Sequence, residues 1–418
     1  MILQVFFNFL YLGCISFGGP AAHIGYFRRV FVEQKAWLSE QDFAAHLALS
    51  QFLPGPASSQ LGFAIGCQRG GIAGGIAAFL GFTLPSFLLM LGLAIWQTDL
   101  PEDSWAHGII SGLKLLAVVV VADAIWSMAG QFCRQPITIV ITVISALVLL
   151  FAMNPLCQFA LLLGAALWMA ARGQPSVTLA KVTFTPLALT CLLSFGGLLL
   201  LGLLFPQSVF GIFYQAGSFV FGGGHVVLPL LESFIGENVS KDSFLLGYAA
   251  AQALPGPMFS FASYLGATLR PDMAVGGAII ATLAVFLPGF LLLTGVSGVW
   301  RQLALHGRVV AAIAGVNAVA VGMLVAAWVN PVLSNAPRDP VSILLAIGGL
   351  FVLRSKKMPI IWIIAIFSVY GAVRFVAYFP SGCKRPANPH CYGRQLCGSS
   401  SLIFDARCVG NLSITSFR

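Results

Sequence analysis

The sequence predicts an all-α, polytopic membrane protein made of two homologous halves. Of its 418 residues, 58% are hydrophobic and only 8% are charged, whereas a soluble domain carries about 25% charged residues. Its apolar segments are continuous, as in residues 137–151, whereas the strands of a membrane β-barrel would alternate apolar and polar residues. The third observation is a proline–glycine motif that occurs twice and indicates an internal duplication.

The duplication is clearest in QFLPGP at residues 51–56, which returns as QALPGP at residues 252–257. We therefore divide the chain into a first copy, residues 1–200, a second copy, residues 205–380, and a tail, residues 381–418, which we expect to be unstructured. The same shift of 201 residues, or one close to it, aligns further pairs: Ser39 with Ser240, Ser59 with Ser260, Arg69 with Arg270, Phe17-Gly18-Gly19 with Phe221-Gly222-Gly223, and Leu84-Pro85 with Leu287-Pro288.

Prolines and glycines interrupt apolar segments of both copies, although proline removes a backbone donor and blocks the preceding helical turn. Residues 43–67 and 244–268 are each broken at LPGP. Because a span needs about 20 apolar residues, their arms are too short to cross, and we predict re-entrant hairpins. The first segment of each copy, residues 2–24 and 208–230, is broken at a Gly-rich motif.

Full spans are expected between these broken segments. Five would separate the hairpin of the first copy from the second copy, and an odd number inverts the halves. Most loop lysines and arginines then share one side, as the positive-inside rule requires, and this also accounts for the net charge of +9 without nucleic acid. If the first segments cross fully, the halves are parallel instead. The expected spans are residues 70–96, 107–130, 136–152, 155–171, 184–205, 274–299, 308–329, 340–353 and 359–379.

Each break also predicts chemistry. A helix that restarts inside the membrane presents free N–H groups and the positive end of its dipole, which attract anions. Hydroxyl and amide donors beside the breaks suit a tetrahedral oxyanion. The alternatives are that the glycines serve close helix packing, that the histidines are bonded within the bundle, and that the arginines anchor the interface. The candidate substrate-binding residues are Ser16, Gly18, Gly19, Pro20, His23, Gln51, Pro54, Gly55, Pro56, Ser58, Ser59, Arg69, Gly222, Gly223, Gly224, His225, Gln252, Pro255, Gly256, Pro257, Ser260 and Arg270.

Other chemistry has little support in the sequence. It contains no nucleophile elbow, HExxH, P-loop or dinucleotide motif, so we expect no enzyme, no cofactor and no metal site, and an ion gradient or the membrane potential as the energy source. The tail cysteines match no zinc spacing. Lys114 and Asp123 lie in one apolar span without sharing a helix face. Either could be functional, or Lys114 could extend to the interface.

Several stretches closely resemble the chromate ion transporter family, in its long-chain form. They are SFGGPAAHIGYFRR (Ser16–Arg29), WLSE (Trp37–Glu40), LALSQFLPGPASSQLGFAIGCQRGG (Leu47–Gly71), GFTLPS (Gly81–Ser86), FVFGGGHVVLPLLE (Phe219–Glu232) and AAAQALPGP (Ala249–Pro257). The resemblance implies two membrane domains in opposite orientation, located in the bacterial plasma membrane. It also implies export of chromate driven by the proton motive force, chromate resistance, and sulfate as a competitor. The tail does not resemble the family.

Two alternatives remain beside this interpretation. A carrier for sulfate or another oxyanion, working by uptake or exchange, would show the same residues, because both dianions present similar oxygens. A membrane-embedded chromate reductase would need a cofactor site or a redox-active cysteine pair, and the sequence has neither. A homodimer is an assembly that the sequence leaves open.

Overall fold

The computed structural model describes residues 1–98, 105–152, 154–173, 184–221, 224–337, 339–355, 358 and 360–378. The tail, Gly222, Gly223 and the His225 side chain lie outside this description. The described residues form seventeen α-helices: α1 (Ile2–Ile15), α2 (Gly19–Phe27), α3 (Glu40–Phe52), α4 (Ala57–Thr98), α5 (Trp105–Phe132), α6 (Pro136–Phe151), α7 (Pro155–Arg172), α8 (Pro186–Leu204), α9 (Val209–Phe219), α10 (Val227–Ile235), α11 (Lys241–Ala253), α12 (Phe261–Leu269), α13 (Ala274–Val296), α14 (Trp300–Leu305), α15 (Gly307–Ala327), α16 (Pro340–Ser355) and α17 (Ile360–Tyr378).

The all-α membrane architecture is confirmed. Among the described residues, six helical stretches are long and apolar enough to cross a membrane, and several shorter apolar helices accompany them. The broken segments are also found where the sequence predicts them: α1 ends before Gly18-Gly19, and α9 ends before the Gly-rich stretch that leads to α10. One short helix, α14, was not predicted. It lies in the loop between the expected spans at residues 274–299 and 308–329.

Both predicted hairpins reverse direction at LPGP. In the first copy, α3 returns along α4, and His46 Nε2 lies 2.7 Å from Gln68 Oε1. In the second copy, α11 returns along α12, and the Tyr264 hydroxyl donates to the Ser243 carbonyl at 3.0 Å. The geometry therefore agrees with helix–break–helix hairpins in both copies.

The helix α4 is itself two arms, which we call α4a (residues 57–69) and α4b (residues 72–98). Gly71 has a φ of 63°, and the backbone is non-helical at Gly70 and Gly71. The chain reverses there, so that a Cβ built on Gly74 would lie 2.2 Å from the Gly66 carbonyl oxygen. Such contact is impossible along one straight helix, because eight residues rise about 12 Å.

The second copy repeats these close approaches at equivalent residues. A Cβ on Gly277 of α13 would lie 2.2 Å from the carbonyl oxygen of Gly266 in α12. Likewise, α1 approaches α4b at Gly13, and α9 approaches α13 at Gly217, in each case against a backbone carbonyl. The sequence repeat is thus also a repeat of helix packing, in which glycines let backbones touch.

The two copies exchange their later helices. In the first copy, α5 packs against α16 and α17 of the second, while α15 of the second copy packs against α6 and α7 of the first. Gly112 of α5 contacts the Phe367 carbonyl, and Gly315 of α15 contacts the Ala165 carbonyl. The linking helix α8 packs on α9 and α13. The halves therefore interlock rather than lie side by side.

The hairpins break this symmetry. In the second copy, α11 packs on α5, where Lys114 Nζ lies 2.5 Å from Asp242 Oδ1. In the first copy, one face of α3 is exposed, and its residues are Gln41, Ala44, Ala48 and Gln51. Of the equivalent residues of α11, Leu245, Ala249 and Gln252 are buried. One hairpin is therefore docked along its length and the other presents a face to its surroundings.

Candidate anion site

The four breaks meet at the interface between the copies. The Gly55 N–H donates to the Val220 carbonyl at 2.8 Å, and the Gly256 N–H donates to the Ser16 carbonyl at 3.0 Å. Because Ser16 and Val220 each precede a Gly-rich break, each LPGP motif is bonded to the first break of the other copy. In addition, a Cβ built on Gly224 would lie 3.6 Å from Pro20 Cγ. The structure thus brings together the breaks that the sequence predicts separately.

Local sequence rules produce each LPGP break. Ser39 begins α3 by accepting a hydrogen bond from the Asp42 N–H, as an N-cap serine does. The helix ends at Leu53, which is extended, with φ −82° and ψ 152°. A residue before proline is driven out of the helical region by the proline ring. In the second copy Ser240 and Leu254 have the same roles.

Glycine is required between the two prolines. The φ angles of Gly55 and Gly256 are 114° and 101°, in the region that residues with a side chain rarely adopt. A Cβ on Gly256 would also lie 2.8 Å from Ser86 Oγ, and one on Gly55 would lie 3.1 Å from the Cα of Gly289. Each motif therefore touches the residue that follows the mid-helix proline of the opposite copy.

Buried polar groups collect around the first-copy break. The hydroxyls of Ser16 and Ser59, like that of Ser260 from the second copy, are buried and have no hydrogen-bond partner. Gln60 donates from Nε2 to the Pro54 carbonyl at 2.6 Å, and its Oε1 has no partner. A buried polar atom without a partner costs about 1–3 kcal/mol, so these groups require a water molecule, an ion or a ligand as their partner.

His23 fixes the geometry of this region. Its ring is fully buried and lies edge-on to Phe82, with centroids 5.2 Å apart. Nδ1 lies 3.3 Å from Ser58 Oγ, and Nε2 lies 3.2 Å from the Ser16 carbonyl oxygen. The imidazole, which belongs to α2, thus links the residue after α1 to the first turn of α4a.

The two copies contribute unequally to the chemistry. Where the first copy has Ser58 and Gln60, the second has Phe259 and Phe261 at the positions 201 residues later. Of these three aligned positions, only the one occupied by Ser59 and Ser260 has the same residue in both copies. The helix α4a therefore supplies three polar side chains to the candidate site, whereas the equivalent turn of the second copy supplies Ser260 between two phenylalanines.

Four predicted residues lie apart from this cluster or differ between the copies. Arg69 is placed over the Trp37 ring, 5.3 Å from its centroid. Arg270 bonds the Asp272 carboxylate, which raises the pKa of Arg270 above its ordinary value. Both lie about 20 Å along their arms from the glycine of the break, by the rise of a helix. Gln51 is exposed, whereas Gln252 is buried and donates to Met258 Sδ at 2.7 Å.

Arg270 also lines a pocket of about 640 Å³ at the end of the second copy, with Asn238 and Ser208 among its neighbours. This pocket lies at the far end of α12 from the breaks. The positive charge of Arg270 therefore lies at an opening of the bundle, away from the unpartnered hydroxyls of Ser16 and Ser59. Among the described residues, no group of three His, Cys, Asp or Glu could hold a metal ion.

Sequence reasoning missed the partners of the charges in α5. Lys114 pairs with Asp242 of α11, and Asp123 pairs with Arg354 of α16 at 3.4 Å. Both partners belong to the second copy. The sequence offered one signal, which is that Gly112 and Lys114 of α5 align with Gly315 and Asn317 of α15. The amide oxygen of Asn317 is buried and has no hydrogen-bond partner. This match marks residue 114 as a position with a counterpart in the duplication.

Comparison with known proteins identifies the family. A profile described as chromate transporter matches residues 3–171 and 207–372. The chromate transport protein of Cupriavidus metallidurans is 26% identical over 378 residues, which cover 89% of this chain and 93% of that protein. The chromate transport protein of Pseudomonas aeruginosa is 28% identical over 316 residues, covering 69% of this chain and 70% of that protein.

An uncharacterized transporter of Methanocaldococcus jannaschii is also similar, with 28% identity over 305 residues, 70% of this chain and 74% of that protein. No solved structure is significantly similar to this chain. The family and the apolar helices fit a multi-pass protein of the bacterial plasma membrane. The two matched segments leave out α8, which links them. The chain therefore belongs to the chromate transporter family.

Proposed function

We propose that this protein exports chromate from the cytoplasm, is driven by the proton motive force, and so gives its host resistance to chromate. The observation that carries the proposal is the meeting of four broken segments around unpartnered hydroxyl groups. Such groups donate to the oxygens of a tetrahedral dianion without adding a fixed positive charge. A dianion leaving a negative cytoplasm gains about 2.3 kcal/mol per charge for each 100 mV.

The arrangement of the halves belongs to the same proposal. Residues 1–200 and 205–380 would be inverted copies that enclose the site near the middle of the bilayer and expose it to each side in turn. The reciprocal hydrogen bonds at Gly55 and Gly256 support a two-fold relation between the breaks. In this proposal the predicted set from Ser16 to Arg270 contacts or attracts the anion, with Arg69 and Arg270 acting at the ends of the hairpins.

A carrier for sulfate or another oxyanion is the alternative. The hydroxyls of Ser16, Ser59 and Ser260 are neutral donors, and neutral donors do not distinguish two dianions of similar shape. Sulfate would then be a competitor of chromate, or the substrate itself. A homodimer is a further proposal, and cross-linking of the protein in membranes would test it.

The test is accumulation of radiolabelled chromate in cells that express the full chain, with and without a protonophore and with excess sulfate. Export driven by the proton motive force predicts low accumulation that rises when the protonophore is added. Higher accumulation that sulfate blocks would replace chromate export by uptake of sulfate-like anions. Unchanged accumulation, with the protein shown to be in the membrane, would overturn both.

A further inference from the structure

The tautomer of His23 follows from its two neighbours. Nε2 faces the Ser16 carbonyl oxygen at 3.2 Å, and a carbonyl oxygen only accepts, so Nε2 carries a proton. In the neutral ring Nδ1 therefore has a lone pair and accepts a hydrogen bond from the Ser58 hydroxyl at 3.3 Å. A serine hydroxyl has one proton to donate. While the ring is neutral, the proton of Ser58 is committed to His23.

The hydroxyls of the two serines beside Ser58, in contrast, are not committed to any hydrogen bond. Ser59 follows it in the same first turn of α4a, and Ser16 supplies the carbonyl that holds the ring. Their side-chain oxygens have no partner, and the two residues are 3% and 0% exposed. Each can donate to an oxyanion at any time. Ser58 is the member of this group whose availability depends on the state of another residue.

The surroundings of the ring isolate its charge. The elements α1, α2, α4a and α4b carry one charged side chain, Arg69. That guanidinium lies over Trp37 at the far end of α4a. The other titratable groups on these elements are Tyr11, Cys14, Tyr26 and Cys67. The helical turn Arg28–Gln34, which packs on α2, adds Arg28, Arg29 and Glu33. The carboxylate of Glu33 is half exposed and already paired with Arg28, so an arriving anion is the natural counter-ion of a protonated His23.

We propose that proton binding at Nδ1 of His23 releases the Ser58 hydroxyl to bind the oxyanion, so that the site takes up its dianion together with one proton. The proton adds to the Nδ1 lone pair. The imidazolium then donates from Nε2 to Ser16 and from Nδ1 to Ser58 Oγ, which becomes an acceptor. The Ser58 O–H turns to the anion, and the new positive charge offsets one of its two negative charges.

This inference rests on the proposed function, and it specifies the net charge that crosses the membrane with each chromate. A dianion and one proton carry one net negative charge outward per cycle. The electrical component of the proton motive force then drives the loaded site outward, while the pH difference opposes this step, because the proton leaves for the more acid side. His23 acts through Ser58 and is a positioning residue, whereas Ser58 contacts the anion.

The experiment measures chromate binding to the purified full chain in nanodiscs, between about pH 4.5 and pH 8.5. The range begins below the pH at which an exposed histidine changes charge, because the His23 ring is fully buried. Chromate itself takes up a proton in this range, so the readout is the Kd of each variant divided by the wild-type Kd at the same pH. For Ser58→Ala we expect a ratio of about ten at the acid end, the value of one hydrogen bond to a charged group. The ratio should approach one at the alkaline end.

Two further variants separate this role from a structural one. In His23→Asn the amide can still donate to Ser16 and accept from Ser58, as the neutral ring does, but it cannot be protonated. Its ratio should follow that of Ser58→Ala. Ser58→Thr keeps the hydroxyl and should restore the wild-type pH profile. Ser145→Ala, which removes a buried hydroxyl from α6, should give a ratio of one throughout.

The outcomes that overturn the inference are distinct. A Ser58→Ala ratio that stays constant with pH, while the wild type binds chromate, removes the proton-linked role and leaves the proposed function intact. A pH-dependent ratio for Ser145→Ala would assign the effect to general destabilisation and overturn the inference as well. Absence of chromate binding by the folded wild type at every pH overturns the proposed function and this inference with it.

Discussion

The N–H of Gly55 donates its hydrogen bond to the carbonyl of Val220, in the other half of the molecule. The equivalent donor, Gly256, bonds Ser16 in the reverse direction. Proline on either side of each glycine prevents a helix from supplying these partners locally. A backbone donor inside a membrane protein still needs an acceptor, and here the opposite copy provides it. The breaks are thus held open by contacts that exist only when both copies are folded together.

Replacing Pro54, Gly55 and Pro56 by alanine should abolish chromate transport. Alanine favours a continuous helix, which would join α3 to α4a and displace Ser58 and Ser59. The measurement is chromate accumulation in cells, together with the amount of protein in the membrane. Pro186→Ala, at the first turn of the linking helix α8, is the matched control and should keep transport. Full activity of the triple variant would remove the break from the transport site.

Adding a methyl group at the hairpin contacts should destabilise both copies alike. In Gly74→Ala and in Gly277→Ala, the new Cβ would lie 2.2 Å from a backbone carbonyl oxygen. Overpacking of this kind typically costs about 1–3 kcal/mol, which a lowered thermal midpoint in detergent would report. Gly196→Ala in α8 meets no atom within 4 Å and should leave the midpoint unchanged. A lowered thermal midpoint in only one of the two variants would contradict the structural equivalence of the two hairpin contacts.

The ion pair between Lys114 and Asp242 should contribute to docking of α11 on α5. The Lys114 side chain is 14% exposed and that of Asp242 is 69% exposed, so solvent screens the pair partly. We expect a coupling energy of about 1 kcal/mol from a double-mutant cycle of Lys114→Ala and Asp242→Ala, read from thermal unfolding. Independent, additive effects would mean that the contact does not hold the hairpin.

The exposed face of α3 should be accessible to water. Ala48 is exposed, whereas its equivalent Ala249 is fully buried in α11. Because Gln41 and Gln51 share the exposed face, and polar groups are costly in lipid, we expect the face to line an aqueous opening. With the nine native cysteines replaced, Ala48→Cys should react with a water-soluble thiol reagent at least about tenfold faster than Ala249→Cys, since burial protects a thiol. Equal rates would contradict the difference between the hairpins.

Much of the architecture could be predicted from the sequence because proline and glycine act locally. Leu53 and Leu254 must be extended before proline, and this places the ends of α3 and α11 within a residue or two. The repeat also predicted that equivalent breaks exist. These inferences need no knowledge of what lies nearby.

The exchange of helices between the copies could not be predicted in this way. The carbonyl that accepts from Gly55 belongs to Val220, and a backbone carbonyl leaves no mark on the sequence. The partners of Lys114 and Asp123 were hidden for a related reason, since they lie in the opposite copy. The different burial of Ala48 and Ala249 depends on which helix packs beside them, and the two alanines are identical in the sequence.

The interlocking of the copies has a consequence for how the chain is made. A ribosome delivers the first copy to the membrane well before the second, yet the acceptor for Gly55 lies on Val220, just beyond the end of α9. Until that helix is inserted, the N–H of Gly55 must be satisfied by water. The first hairpin therefore waits in a hydrated, unfinished form during synthesis, and the two copies complete their fold as a single event.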